Sequence, residues 1–449
     1  MQKEKIRIGC GAGFSGDRIE PAVILAERGN LDYLVLECLA ERTIALAQKR
    51  KMQNPRNGYD PLLERRINTL LPLLVKNNIC LVTNMGAANP IAAAKKINEI
   101  ARQQHIKIKV AAVYGDDVFD KINRETPGIE TSEPISASGE LISANAYMGI
   151  DGILEALNAK PNIIITGRVA DPSLFLAPMI HEFGWKTNDY DLLGKGSVIG
   201  HLLECAGQVT GGYFADPYKK PVPDLAHLGH PFADVFADGT AIISKTAGTG
   251  GIVNLATVKE QLLYEVINPH EYYTPDVIAD FTTVRLIDLG NNQVQVVGGT
   301  GKEKPRTYKV SAGYKAFYLG EGEISYAGFN ALERAKLAGE IIKERLKDEI
   351  AVLKIDFIGF NSVHHNNYQH ANIPSQYPNV PPYEIRLRVA GKANTAEQAA
   401  LVGEEVEALY TNGPAGGGGV RKYVTDVIGI VSILIDRKKI IPQVKLFQS

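Results

Sequence analysis

Cysteine is scarce in this chain and tryptophan nearly absent, with four of the first and one of the second among 449 residues. Cys10, Cys38, Cys80 and Cys205 are scattered, and no CxxC pair occurs. A disulfide framework and a zinc-finger layout are therefore excluded, and the usage is of the reduced, intracellular kind. Neither sign of charge dominates, since 49 basic residues face 50 acidic ones for a formal net charge of -1. No global field then draws the chain to nucleic acid or to an anionic membrane. Long hydrophobic runs are missing too. The start, MQKEKIRIGC, has no apolar signal core, and the longest apolar run, Val427 to Ile435, falls far short of the ~20 residues of a membrane span. A cytoplasmic protein with small-molecule or subunit partners is expected.

What is present in quantity is chain length. At 449 residues two or three domains are expected. From residue 5 to about 190, β-rich runs such as IRIGC, DYLVLEC, ICLVTNMG, KIKVAAVYG and PNIIITGR alternate with helical patterns. Continuous apolar strands separated by helices predict a parallel sheet covered on both faces, with ligands at the carboxyl ends of its strands. That rule singles out Gly11–Asp17, Glu37, Asn84–Asn89, Gly115–Asp117 and Gly167–Asp171. From about 190 to 305 the chain is richer in Gly, Pro, Asp and Tyr and reads as a β-rich lobe within the α/β domain of residues 1–305. From 306 to 449 the order strand, helix, strand, strand, helix, strand predicts a ferredoxin-like α+β domain, whose open sheet would favour a homo-oligomer. The proline-rich stretch Pro374 to Glu384 reads as a rigid connection.

The segment GHLLECAGQVTGGYFADP, Gly200 to Pro217, carries the most chemistry. His201, Glu204, Cys205 and Gln208 follow helical spacing, so they form either the wet face of an amphipathic helix or a stripe facing a cavity. Free cysteine prefers burial, and a solvated face normally carries Lys and Glu, which favours the cavity. In TGRVADPSLFLAP, Thr166 to Pro178, Arg168 stands at a strand tip and could clamp a carboxylate, while Asp171 before Pro172 predicts a helix cap with a possible second role in catalysis.

The glycine loops divide. Gly11, Gly13 and Gly16 form GxGxxG after a strand, with Glu37 ending the next, as a nicotinamide or flavin site would require. Asp17 and Arg18 follow at once and Pro21 suits a helix start, so a structural turn with Asp17 or Arg18 facing substrate is the competing reading. GKGS, Gly194 to Ser197, lacks phosphate-loop spacing. GTGG, Gly248 to Gly251, and GPAGGGG, Gly413 to Gly419, are either anion nests or tight turns. His364, His365 and His370 lie in a polar loop, and no metal site is assigned.

Taken with NMGAANPIAAA at Asn84 to Ala94 and NGPAGGGGVR near the end, these segments resemble the AtuA family of acyclic terpene utilisation proteins along nearly the whole chain. The resemblance implies catabolism of branched or isoprenoid acids, often as coenzyme A thioesters, without assigning a reaction. From the side chains, proton transfer beside a carbonyl is the leading expectation: a lyase or isomerase with His201, Glu204, Cys205, Glu37 and Asp171 as catalytic candidates. Asp17, Arg18, Asn84, Asn89, Arg168, Gln208, Gly211, Gly212 and Gly250 are the binding candidates. Three alternatives are a Cys205 thioesterase or acyl transferase, an NAD(P)-dependent oxidoreductase, and a non-catalytic acyl-CoA scaffold.

Overall fold

The computed structural model describes residues 3–363 and 382–449. His364, His365, His370 and most of the proline-rich connection lie outside the described residues. The chain divides into two compact units, one comprising Met1–Ala137, Leu141–Gly313 and Ile430–Ser449, the other Ser138–Glu140 and Tyr314–Gly429.

The first unit begins with β1 (Lys5–Ala12), α1 (Glu20–Arg28), β2 (Tyr33–Leu36), α2 (Glu41–Gln53), α3 (Leu63–Lys76), β3 (Cys80–Thr83), α4 (Pro90–Gln103) and β4 (Lys109–Tyr114). After β5 (Glu140–Ala146) come α5 (Asp151–Asn158), β6 (Ile163–Thr166), α6 (Ser173–Phe183) and α7 (Tyr190–Glu204). Strands β1, β2, β3, β6 and β4 are parallel neighbours in that order. β2 and β6 are buried at every residue, the burial expected of strands covered on both faces.

Connections from β1 through β4 all advance in one direction, and the step from β4 to β6 reverses. Right-handed crossovers then put α1, α3 and α4 on one face and α5 on the other, where α6 and α7 join it. The first face is sealed by Leu25, Ile67, Leu70 and Ile97 against Leu34, Leu81 and Ile165. The direction changes between β3 and β6, so their carboxyl ends frame the crevice where such sheets bind ligands.

The region expected as a lobe is largely part of this same sheet. β7 (Pro231–Phe236) pairs antiparallel with β1, and β8 (Ala241–Lys245) with β7. Helix α8 (Leu255–Leu263) precedes two short strands, β9 (Tyr272–Tyr273) and β10 (Ile278–Asp280). β11 (Arg285–Gly290) and β12 (Gln293–Val297) then extend the sheet beyond β8, and β13 (Thr300–Lys302) joins β9 and β10 in a three-stranded sheet. The physical reason is edge coverage: β1 would otherwise present an unpaired edge.

The second unit contains most of β14 (Thr307–Ala327), then α9 (Ala331–Leu346), β15 (Val352–Ile358), β16 (Glu384–Ala393), α10 (Ala396–Asn412) and the first part of β17 (Gly418–Asp436). Its strand order is β15-β16-β14-β17. Ala335, Ala338 and Ile342 of α9 and Val402 and Val406 of α10 pack with Ile324, Leu387 and Val389. A single cut near residue 306 does not describe the division. The last strand, β18 (Gln443–Gln448), belongs to the first unit, where it pairs antiparallel with β4 and covers that edge.

Candidate functional site

Helix α7 is seated by close backbone approach. A Cβ on Gly200 would lie 2.9 Å from Cα of Pro172, and one on Gly13 would lie 2.5 Å from the carbonyl carbon of Cys205. Only glycine permits both contacts. They hold the end of α7 against the loop after β1 and the start of α6.

The four-residue stripe is not one helical face. The α-helix stops at Glu204, Cys205 caps it, and Ala206–Gln208 form a 3-10 turn whose first residue has φ of 44°. His201 and Glu204 stay together, whereas Cys205 and Gln208 leave the helical register. Both members of the pair are buried, at 1% and 8% exposure, which rules out a wet face. His201 Nδ1 lies 2.8 Å from Glu204 Oε1, while His201 Nε2 and Glu204 Oε2 have no hydrogen-bond partner. Tyr272 and Phe281 enclose the imidazole, with ring centroids at 5.3 Å and 5.4 Å. Burial draws His201 down to about 4 and pushes the Glu204 carboxyl well above its ordinary range, helped by the nearby negative charges of Asp171 and Glu265. Both shifts favour the neutral form of each group, an imidazole beside a carboxyl.

The strand ends supply the other half. Glu37 accepts from Leu39 N at 2.9 Å and from Asn84 Nδ2 at 2.8 Å, and Asn84 Oδ1 accepts from Cys38 N at 2.7 Å. Burial, then the charge of Asp171, raises the Glu37 carboxyl well above its ordinary range, against the pull of Arg168. Arg168 is 1% exposed and lies 3.9 Å over the Tyr147 ring. Its Nη1 donates to the Leu39 carbonyl and, at 3.0 Å, to Asp171 Oδ1; its Nε has no partner. Asp171 does not cap α6, whose N-cap is Pro172 without a side-chain bond; its carboxylate is spent on Arg168. Asp116 Oδ2 accepts from the Arg168 backbone N at 3.0 Å and from Asn145 Nδ2 at 2.8 Å, fixing the loop from which Arg168 projects. Burial still lifts Asp116 to about 6.

His201, Glu204, Glu37 and Arg168, all buried, are thus gathered with the part-exposed Asp171 into one charge cluster. Other candidates have local structural partners. Asp17 accepts from Gly13 N at 2.6 Å and Phe14 N at 3.3 Å, so a carboxylate of the chain itself takes the loop amides a pyrophosphate would need. Arg18 donates to the Ala226 carbonyl at 2.6 Å. Asn89 caps α4 by accepting from Ala92 N, and its amide donates to Pro55 and Asn57 carbonyls. Gly250 N and Gly251 N donate to His227 and Pro223 carbonyls, the tight-turn use of GTGG. Gly212 N closes on the Gly207 carbonyl, and Gly211, at φ of 107°, turns the chain there. GKGS lies inside α7. Among the described residues no group of three or more His, Cys, Asp or Glu side chains could hold a metal ion. Burial and the Glu204 charge push the Cys205 thiol up, away from the thiolate form.

Tyr147, Glu41, Gln261, Tyr272 and Phe281 were not legible as site residues. Gln261 Nε2 donates to the His201 carbonyl at 3.0 Å and its Oε1 is buried without a partner. Burial pushes Glu41 up, but the Tyr147 hydroxyl, its own backbone N–H and the Arg168 charge bring it to about 2. The aromatic doublet Tyr272–Tyr273 was the one local signal.

No helix among the described residues is long and apolar enough to cross a membrane. The model of one family, described as acyclic terpene utilisation family protein AtuA, matches residues 6–446. No curated protein and no solved structure matches the chain.

Proposed function

We propose, for a chain that belongs to the acyclic terpene utilisation family AtuA, a lyase or isomerase that moves a proton beside the carbonyl of a branched carboxylic acid or its coenzyme A thioester. Membership of the family fits a role in acyclic terpene utilisation. The observation that carries the reaction class is the buried His201–Glu204 pair, with one unpartnered polar atom on each member. In the neutral pair the Glu204 proton sits toward His201 Nδ1, which leaves Nε2–H as the donor. As Nε2–H protonates the substrate, Nδ1 takes the Glu204 proton, and the reverse sequence removes a proton from carbon. Such a relay suits hydration, dehydration or isomerisation.

Arg168 is the substrate clamp in this reading, through its unpartnered Nε–H, with Glu37 and Asn84 fixing the loop carbonyl of Leu39 beside it. A nucleophilic Cys205 is the weaker choice because its thiol is held protonated. We read the second unit as a ferredoxin-like module and the protein as a homo-oligomer.

The test uses branched-chain acids and their coenzyme A thioesters in D2O, with exchange of the hydrogen next to the carbonyl followed by mass spectrometry. Exchange by the unaltered protein should fall by about 10²–10⁴-fold in Glu204→Gln, the usual worth of acid–base assistance. Undiminished exchange in that variant removes the assignment.

A further inference from the structure

Beside α8 lies a 960 Å³ pocket, within the size range of small-molecule sites. Its lining is apolar at Phe214, Ile252, Ala256 and Leu263, and charged at Lys219, Lys220 and Lys259 and at Glu260 and Glu265. Lys220 is already engaged, paired with Glu260 and stacked 4.8 Å over the Phe214 ring. Among the described residues neither Lys219 nor Lys259 is paired with a carboxylate. Leu263, 63% exposed, and Tyr213, 87% exposed and edge-on to Tyr264 at 6.4 Å, leave apolar surface open around it. An uncovered apolar wall with two unpaired cations suits a ligand having an apolar chain and an anionic end.

The pocket adjoins the buried cluster. Tyr264 and Glu265 line it, and Gln261, between the lining residues Glu260 and Leu263, donates to the His201 carbonyl at 3.0 Å. Glu265 has φ of 59°, a left-handed backbone that a non-glycine residue keeps only where its surroundings demand it. Its charge reaches His201, Glu204, Cys205 and Asp171. The helix that lines the pocket thus also contacts the acid–base pair, through Gln261.

We infer that this pocket is the substrate's subsite, taking the apolar chain along Ile252 and Leu263 and an anionic group on Lys219 and Lys259; the inference rests on the proton-transfer reading for what lies at its inner end. The anion is the phosphate-bearing carrier of a thioester or the carboxylate of a free acid, and both share the required chemistry.

Isothermal titration of the full chain with decanoyl-coenzyme A, decanoate and coenzyme A distinguishes these sources. Tight binding of decanoyl-coenzyme A alone identifies the carrier, and tight binding of decanoate identifies the free acid. In either case Lys219→Glu with Lys259→Glu should weaken binding by about tenfold or more and reduce its salt sensitivity. Lys160→Glu, at a separate pocket, should leave it unchanged. Failure of all three probes to bind, or binding indifferent to the paired lysine reversals, overturns the subsite. Glu204→Gln should keep the binding and lose the exchange, so failure of the subsite and failure of the acid–base pair give different results.

Discussion

His201 shows how burial governs a single side chain. Its folded-state value of about 4 lies below the ordinary 6.5, so as pH falls through that window the unfolded chain takes up a proton that the folded one refuses. Stability should therefore drop on acidification from pH 6.5 toward 4, by at most about 3 kcal/mol from this group. Glu204 acts in the opposite sense. Its raised carboxyl keeps a proton in the folded state, so its contribution is present at low pH and is lost as pH rises through the folded value. Denaturant titrations across this range should give His201→Asn a flatter acid limb than the unaltered protein. Parallel limbs would show that His201 is not held neutral.

At the scale of elements, α7 decides whether the pair meets the strand ends. Gly200→Ala would set a Cβ at 2.9 Å from the Pro172 backbone, and backbone cannot swing aside as a side chain can. Overpacking of this kind costs about 1–3 kcal/mol. A lowered melting temperature and a larger loss of exchange activity are expected, since the displaced helix carries His201 and Glu204 away from Arg168. A variant with unchanged melting temperature and activity would mean that the contact does not hold α7. The helix also ends at Glu204, so the negative pole of its dipole, roughly half a charge, falls on the pair. That pole disfavours a Glu204 carboxylate, in the same direction as burial, and so favours return of the proton to Glu204 after each transfer. The break that produces this arrangement was hidden in the sequence because it depends on Ala206 at φ of 44°, which a non-glycine residue does not advertise.

For the whole molecule, the parallel strands were legible because burial on both faces leaves unbroken apolar runs such as YLVL and IIIT. The loops after them followed from the strand-end rule, which located Glu37, Asn84, Arg168 and Asp171. Tyr272 and Phe281 were not legible, since distant segments of the chain bring them to His201 and no local pattern records that meeting. Pairing of β7 with β1 and of β18 with β4 escaped for the same reason. The β18 pairing makes a direct prediction: truncation after Pro442 should expose the β4 edge, lower the melting temperature and increase light scattering on concentration. An unaltered melting curve would show that β18 is dispensable. The same pairing has a consequence during synthesis. The first unit takes β18 from a segment made only after the whole of residues 314–429. Whatever order the earlier strands adopt while the chain is being translated, this sheet cannot close until Gln443–Gln448 have left the ribosome.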